Sequence, residues 1–278
     1  MIARVPASSA NLGPGFDTLG MALALYAEVG LGPPAHDGAQ KADDHHPALV
    51  AFRRHGGEGP LWVRSPIPNG RGMGFSGAVR VGGVVAAHAQ RHGTDPAALD
   101  AARPELLALA TELEGHADNV AASLYGGIVA TAAGKAVPIR LSFDPAMVMW
   151  VPSFSTSTDE SRAQLPAHVP IADVVFNIGR TALLVAALAA GDVSALRTAT
   201  EDRLHQERRL DTAQPSRAAL HAALDAGAWA AWLSGSGPTV AVMCAMDDAE
   251  QMAAALPSDG HTKILRVDHG GATIESGG

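Results

Sequence analysis

Apolar residues along this chain recur with two different periods. Short apolar or alternating runs bounded by turn-forming residues occupy 2–6, 21–31, 61–64, 138–141, 148–151, 229–233, 240–244 and 263–267, and predict strands. Three-to-four spacing predicts helices over 75–91, 95–102, 105–113, 173–190, 193–209, 216–226 and 247–256, with a shorter one at 49–54. Segment 120–132 is apolar almost throughout and fits either a helix or a strand. Strands and helices interleave without strict alternation, which predicts an α+β chain. The composition shifts between about 141 and 152, so two domains are expected, 1–145 and 146–278. The final stretch, 270–278, is Gly-rich and predicts a loose tail.

Composition narrows the function classes. Hydrophobic residues make up 47% and charged ones 17% of the 278, a globular profile. The net charge of −8 and the lack of any Lys/Arg run argue against a nucleic-acid partner. The single cysteine, Cys244, forbids an intramolecular disulfide and fits a reducing, cytoplasmic setting. No apolar run reads as long enough to span a membrane, and the first residues enter a strand rather than a signal peptide.

The stretch Pro68-Asn-Gly70-Arg-Gly72-Met-Gly74-Phe-Ser76-Gly77-Ala78 opens directly onto a predicted helix. Glycines at alternate positions permit backbone angles that a side chain forbids, and a helix N-terminus offers free N–H groups and a positive dipole end to an anion such as phosphate. A Walker A loop needs Gly-Lys-Ser/Thr, and no lysine is present. Gly72-x-Gly74-x-x-Gly77 matches the dinucleotide fingerprint, but its acidic residue would be Asp95, which lies between two helical stretches rather than at a strand end. A small-molecule kinase loop is the third option.

Three polar clusters accompany the loop. Asn11 and Asp17 sit in a turn-rich stretch and offer an amide and a carboxylate to a ligand, or simply bond their own turns. Glu112, Glu114, His116, Asp118 and Asn119 precede an apolar segment; they read either as a solvated helix end or as carboxylates able to hold Mg²⁺ against phosphates. The hydroxyl run Ser153–Thr158 caps a helix carrying Arg162, either a surface residue or an anion clamp.

Five segments in order carry a family resemblance. Pro6-Ala-Ser-Ser-Ala-Asn-Leu-Gly-Pro-Gly-Phe-Asp17, Gly72-Met-Gly-Phe-Ser76-Gly-Ala, Glu114-Gly-His-Ala-Asp118-Asn119-Val-Ala, Leu233-Ser-Gly-Ser-Gly-Pro-Thr-Val and Asp202-Arg-Leu-His-Gln, with Thr158 and Arg162, resemble the motifs of the GHMP family of small-molecule kinases. That resemblance implies a ribosomal-S5-like ATP-binding domain followed by a ferredoxin-like one. It also implies transfer of the ATP γ-phosphoryl group to a primary alcohol, the side-chain hydroxyl of L-homoserine. Within it, Pro68, Gly70, Arg71, Gly72, Met73, Gly74, Phe75, Ser76, Gly77 and Ala78 would bind ATP. Ser76 and Glu114 would hold Mg²⁺, with Glu112 as the alternative. Asn11, Asp17, Asp118 and Asn119 would contact the ammonium and hydroxyl, and Arg162 and Arg209 would clamp the carboxylate. Thr158 would sit near the reacting phosphate; Asn119 would hold the hydroxyl, with Asp118 the base if one is used. The partners implied are small molecules, and a homodimer is left open. Another small amino- or hydroxy-acid as acceptor, or an amino-acid sensor of weak activity, are the alternatives.

Departures from the motifs cluster on the nucleotide side. Phe75 replaces a serine, Gly77 an alanine, and Arg80 puts a cation where an apolar residue is usual. His46-Pro47 stands where an Asn is common, and Glu207 where a Pro is common.

Overall fold

The computed structural model describes residues 1–34, 37–156 and 158–276, without the side chains of 158–160. The first half runs β1 (Ile2–Ala10), β2 (Leu19–Leu31), β3 (Gln40–Lys41), α1 (Pro47–Arg54), β4 (Leu61–Arg64), α2 (Phe75–His92), α3 (Pro96–Glu114), α4 (Asp118–Tyr125), β5 (Ile128–Ala132) and β6 (Lys135–Ile139). The second half runs β7 (Ala146–Pro152), α5 (Thr158–Ala163), α6 (Ile171–Ala190), α7 (Val193–Ala199), α8 (Gln206–Asp211), α9 (Gln214–Asp225), β8 (Ala230–Leu233), β9 (Val240–Cys244), α10 (Ala249–Ala255), β10 (Gly260–Arg266) and β11 (Thr273–Glu275).

Two antiparallel sheets organise these elements. The first has the order β11-β1-β2-β4-β3, with β5 also on β2 and β6 on β5. The second has the order β10-β7-β9-β8. Numbered within itself that sheet reads 4-1-3-2, with helices after its first and third strands, which is the ferredoxin-like arrangement. The α+β expectation holds. Helix α2 has a fully apolar inner face (Ala78, Val79, Val81, Val84, Val85) against β1 and β2. Gly82 there is matched to Val29, whose side chain would lie 2.4 Å from an added Cβ. One apolar cluster spans Val5 and Met21 of the first sheet and Met147, Trp232 and Met243 of the second.

Several expectations need correction. The two helices read at 95–102 and 105–113 are one, α3, which passes through Pro104. Its buried face (Leu99, Leu106, Leu107, Ala110) is continuous across the proline, so packing outweighs the one lost backbone bond. Conversely, the helix read at 193–209 is two. Asp202 accepts hydrogen bonds from the backbone N–H of His205 (2.8 Å) and Gln206 (2.7 Å), and so starts α8 afresh. Segment 120–132 is a helix and then a strand, α4 and β5. Most of the tail read as loose is held in place: β11 pairs with β1, Ala3 opposite Ile274, while 277–278 lie outside the described residues. Finally, α6 is long and apolar enough to cross a membrane by length and composition. Its polar residues are engaged within the protein, however: Asn177 Nδ2 donates to Asp202 Oδ1 (2.6 Å) and Thr181 Oγ1 to the Pro14 carbonyl (3.1 Å).

Candidate active site

The Gly-rich loop is held by close backbone contacts. Gly70, Gly72 and Gly74 have φ of +66°, +72° and +69°. A Cβ on Gly72 would lie 2.2 Å from the Ser234 carbonyl oxygen, and one on Gly74 2.0 Å from Ser8 Oγ. Only glycine permits this approach, which wedges the loop between β1 and the 234–239 turn. Gly74 precedes α2 without any side-chain cap, so the first-turn N–H groups keep their capacity for an anion. Arg71 fastens the loop to the end of β7, donating to the carbonyls of Pro152 (2.8 Å) and Ser153 (2.7 Å).

A cavity of about 280 Å³ opens beside this helix end. Of the residues assigned from sequence, Asn11, Asp17, Pro68, Gly70, Arg71, Gly72, Gly74, Phe75, Ser76, Glu114, Asp118, Asn119, Arg162 and Arg209 line it. Met73 is buried in the core, while Gly77 and Ala78 are buried in the helix behind the loop. Thr158 begins α5, but its side chain lies outside the described residues. Asp95 caps α3 by accepting from Ala97 N (3.0 Å), a purely local role that removes the dinucleotide reading.

At the helix end, three side chains converge on Glu114. Ser76 Oγ donates to Glu114 Oε2 (2.7 Å), Arg80 Nε donates to the same oxygen (2.7 Å), and Asn119 Nδ2 donates to Oε1 (3.2 Å). Glu112 instead faces outward to Arg54 (2.9 Å). The substitution at Gly77 has a structural reason, since a Cβ there would lie 2.9 Å from Asn119 Nδ2. Asp118 is 1% exposed, and its Oδ1 accepts from Asn119 N (2.8 Å) and faces His116 Nδ1 (2.9 Å). Burial alone lowers the His116 pKa, but the hydrogen bond and charge of Asp118, helped by Glu114, outweigh it and raise the net value.

The opposite wall gathers the groups that the family resemblance assigns to the amino acid. Asn11, at φ +71°, donates to the Gly235 carbonyl (3.0 Å) and accepts from Asp17 N (3.1 Å). Arg162 pairs bidentately with Asp17 (2.7 and 3.0 Å). Arg209 is buried; its Nη1 donates to Gly235 O (3.0 Å) and to His205 Nδ1 (3.1 Å), while its Nε is buried with no partner among the described residues. An arginine can only donate, so His205 Nδ1 accepts and Nε2–H donates to the Gly13 carbonyl (2.8 Å). Burial first, then repulsion from Arg162, brings the Arg209 pKa down to about 10, so it stays charged at neutral pH. Both guanidiniums lie over Phe16, at 5.6 and 5.3 Å from the ring centre.

Sequence reasoning gave no individual role to Ser8, Asn69, His116, Thr156 or Ser236, which also line the cavity. Ser8 lies in β1, in a stretch read as loop, and only the continuation of the strand to Ala10 directs it inward. Thr156 belongs to the hydroxyl run, and its backbone N–H donates to the Gly70 carbonyl (3.2 Å).

Residues 44–127 match the description "GHMP kinases N terminal domain", and residues 184–262 match "GHMP kinases C terminal". Homoserine kinase of Moorella thermoacetica is 40% identical over 264 residues, covering 87% of each chain. Homoserine kinase of Streptomyces coelicolor is also 40% identical, covering 98% of this chain and 93% of its own. The crystal structure of homoserine kinase from Cytophaga hutchinsonii superposes with a TM-score of 0.83 at 23% identity, covering 99% and 97% of the two chains, and so shares the fold. With the two-sheet architecture and the glycine-bounded cavity, these likenesses establish that the chain belongs to the GHMP kinase family, in the company of its homoserine kinases.

Proposed function

We propose that this chain transfers the γ-phosphoryl group of ATP to the side-chain hydroxyl of L-homoserine, giving O-phospho-L-homoserine. One observation carries the reading: Asn119 Nδ2 donates to Glu114 Oε1 at 3.2 Å, so the group assigned to the alcohol touches the group assigned to the metal and phosphates. Donor and acceptor ends of a phosphoryl transfer must meet at such a point.

The uncapped N-terminus of α2 and the loop backbone hold the phosphates in this reading. Ser76 Oγ and Glu114 Oε2, 2.7 Å apart, form an all-oxygen donor pair. That set suits Mg²⁺, which typically takes one or two carboxylates and completes its shell with phosphate oxygens and water. When bound, the ion supplies charge neutralisation at the phosphates. Asp17 and Asn11 receive the substrate ammonium, and Arg209, whose Nε has no partner among the described residues, receives the carboxylate together with Arg162. The Asp17–Arg162 pair already holds one charge of each sign, so a zwitterion inserted between them replaces their contact charge for charge. Asn119 holds the acceptor hydroxyl. Phosphoryl transfer passes through a loose transition state, so positioning and charge account for most of the rate without a strong base. The Oδ1 atom of Asp118 is committed to Asn119 N and His116, which supports a positioning role over that of a base. In the same reading 1–145 is the ATP-binding domain and 146–278 the second domain, with β11 returning to complete the first sheet.

A coupled ADP-release assay with ATP, Mg²⁺ and L-homoserine tests the substrate. Turnover dependent on homoserine is expected. Release with another amino-acid alcohol but not homoserine would transfer the activity to that acceptor, and no turnover with a homoserine-raised melting temperature would indicate a sensor.

A further inference from the structure

We propose that Arg80 is a built-in counter-ion to Glu114 that keeps divalent cations out of the site until nucleotide phosphates arrive. The inference rests on the reading of Glu114 as a metal ligand and adds a residue that sets the affinity.

Arg80 lies four residues after Ser76 on α2, so the two side chains share a helix face. Its Nε reaches Glu114 Oε2 at 2.7 Å and Ser76 Oγ at 3.3 Å. Oε2 therefore takes two donors and Asn119 takes one lone pair of Oε1, so three of the roughly four acceptor sites of the carboxylate are already used by the protein. Arg80 does not line the cavity; it approaches the carboxylate from behind the wall that Ser76 and Glu114 form. The pair is also largely shielded from water, with side-chain exposures of 21% and 8%.

Position within the helices explains why a cation sits there. Glu114 is the last residue of α3, and that helix has no basic residue in its final turn. A carboxylate at a helix C-terminus is disfavoured by the dipole, and Arg80 supplies the missing positive charge. Its chain neighbours Val79 and Val81 are fully buried, so Glu114 is the feature of this surroundings that calls for a charge.

The consequence concerns binding order. A divalent cation at Glu114 must share a carboxylate whose charge is already paired with the Arg80 guanidinium, which places two positive groups around one carboxylate in a site largely shielded from water. The balance becomes favourable when phosphate oxygens add negative charge. The bare protein thus binds divalent cations weakly, and metal enters together with nucleotide.

Mn²⁺ titrations followed by the EPR signal of the free hexaaquo ion test this, with Mn²⁺ alone and with Mn²⁺ plus ADP. Without nucleotide, Arg80→Leu should bind Mn²⁺ at least tenfold more tightly than wild type, and Arg80→Lys should stay near wild type. Adding Glu114→Gln to Arg80→Leu should remove the gain. Equal affinity of wild type and Arg80→Leu, or a gain that survives Glu114→Gln, overturns the proposal. Loss of ADP-dependent Mn²⁺ binding in Glu114→Gln alone reports on the underlying metal reading: if that variant binds as wild type does, the reading fails and the proposal with it. Thermal unfolding verifies the fold of each variant. Should Arg80→Leu not fold, Arg80→Gln, which keeps an N–H donor without the charge, carries the same comparison.

Discussion

Arg209 spends one guanidinium nitrogen on His205 and Gly235, and its buried Nε has no partner among the described residues. A buried donor of this kind is unfavourable in isolation and gains most from a charged acceptor. Replacing Arg209 by Ala removes a charge-assisted contact worth about 1.5–3 kcal/mol, so the KM for homoserine should rise about 10- to 150-fold, while that for ATP stays within about twofold. Steady-state kinetics with each substrate varied checks this, and equal rises in both would count against a carboxylate clamp. The family resemblance named Arg209 and Glu114 as candidates. It also marked Arg80 as an oddity without finding its partner, because Glu114 lies 34 positions further on and only the packing of α2 beside α3 joins them. Gly77 was likewise a departure without a cause until Asn119 appeared beside it.

The Gly-rich loop, the helices and their junctions carry the next set of consequences. Gly72→Ala would put a methyl group 2.2 Å from the Ser234 carbonyl oxygen, at a φ of +72°. The left-handed conformation alone costs about 1–2 kcal/mol, and relief of the clash must move the loop off the 234–239 turn. Urea denaturation should show at least that loss, with a raised ATP KM; a wild-type midpoint would mean the loop is less tightly wedged. A second junction joins α1, α2 and α3 through histidines. Arg91 Nη2 donates to His55 Nε2 (2.7 Å), His88 Nε2 is buried without a partner among the described residues, and the His88 and His92 rings lie 4.7 Å apart, tilted by 36°. Burial, with Arg91 and His92 nearby, lowers the pKa of both His55 and His88, and Glu105 opposes this only in part. The folded protein thus binds fewer protons at these sites than the unfolded chain, and stability falls as pH drops below the unfolded value of about 6.5. A His55→Gln, His88→Gln variant should show a shallower fall in melting temperature between pH 7 and 5.5; a slope equal to wild type would contradict it. Strong periodicity made most elements legible in sequence. The errors arose where a distant group decided: Asn177 on α6 fixes Asp202 and so breaks the helix read at 193–209, and β1 recruits the tail as β11.

Across the whole molecule, the cavity is built by both sheets. Ser9 of β1 accepts from Trp232 Nε1 of β8 (3.0 Å), and Ser234 Oγ just beyond that strand donates to the Gly72 carbonyl (2.6 Å). The Gly-rich loop of the first sheet is therefore seated on the turn of the second, and Asn11 adds a third tie to Gly235. The sequence displayed these motifs as separate islands; the register of β1 against β2 and the contacts of the 234–239 turn bring them to one point. That convergence underlies the central claim, that this cavity joins a nucleotide triphosphate to an amino-acid alcohol. The most direct measurement is ³¹P NMR of the protein with ATP, Mg²⁺ and L-homoserine. The account predicts that the γ-phosphate resonance declines as a phosphomonoester resonance, split by the two protons of a CH₂–O–P group, grows in equal amount. Decline of the γ-phosphate into inorganic phosphate, or an unchanged spectrum, would contradict it.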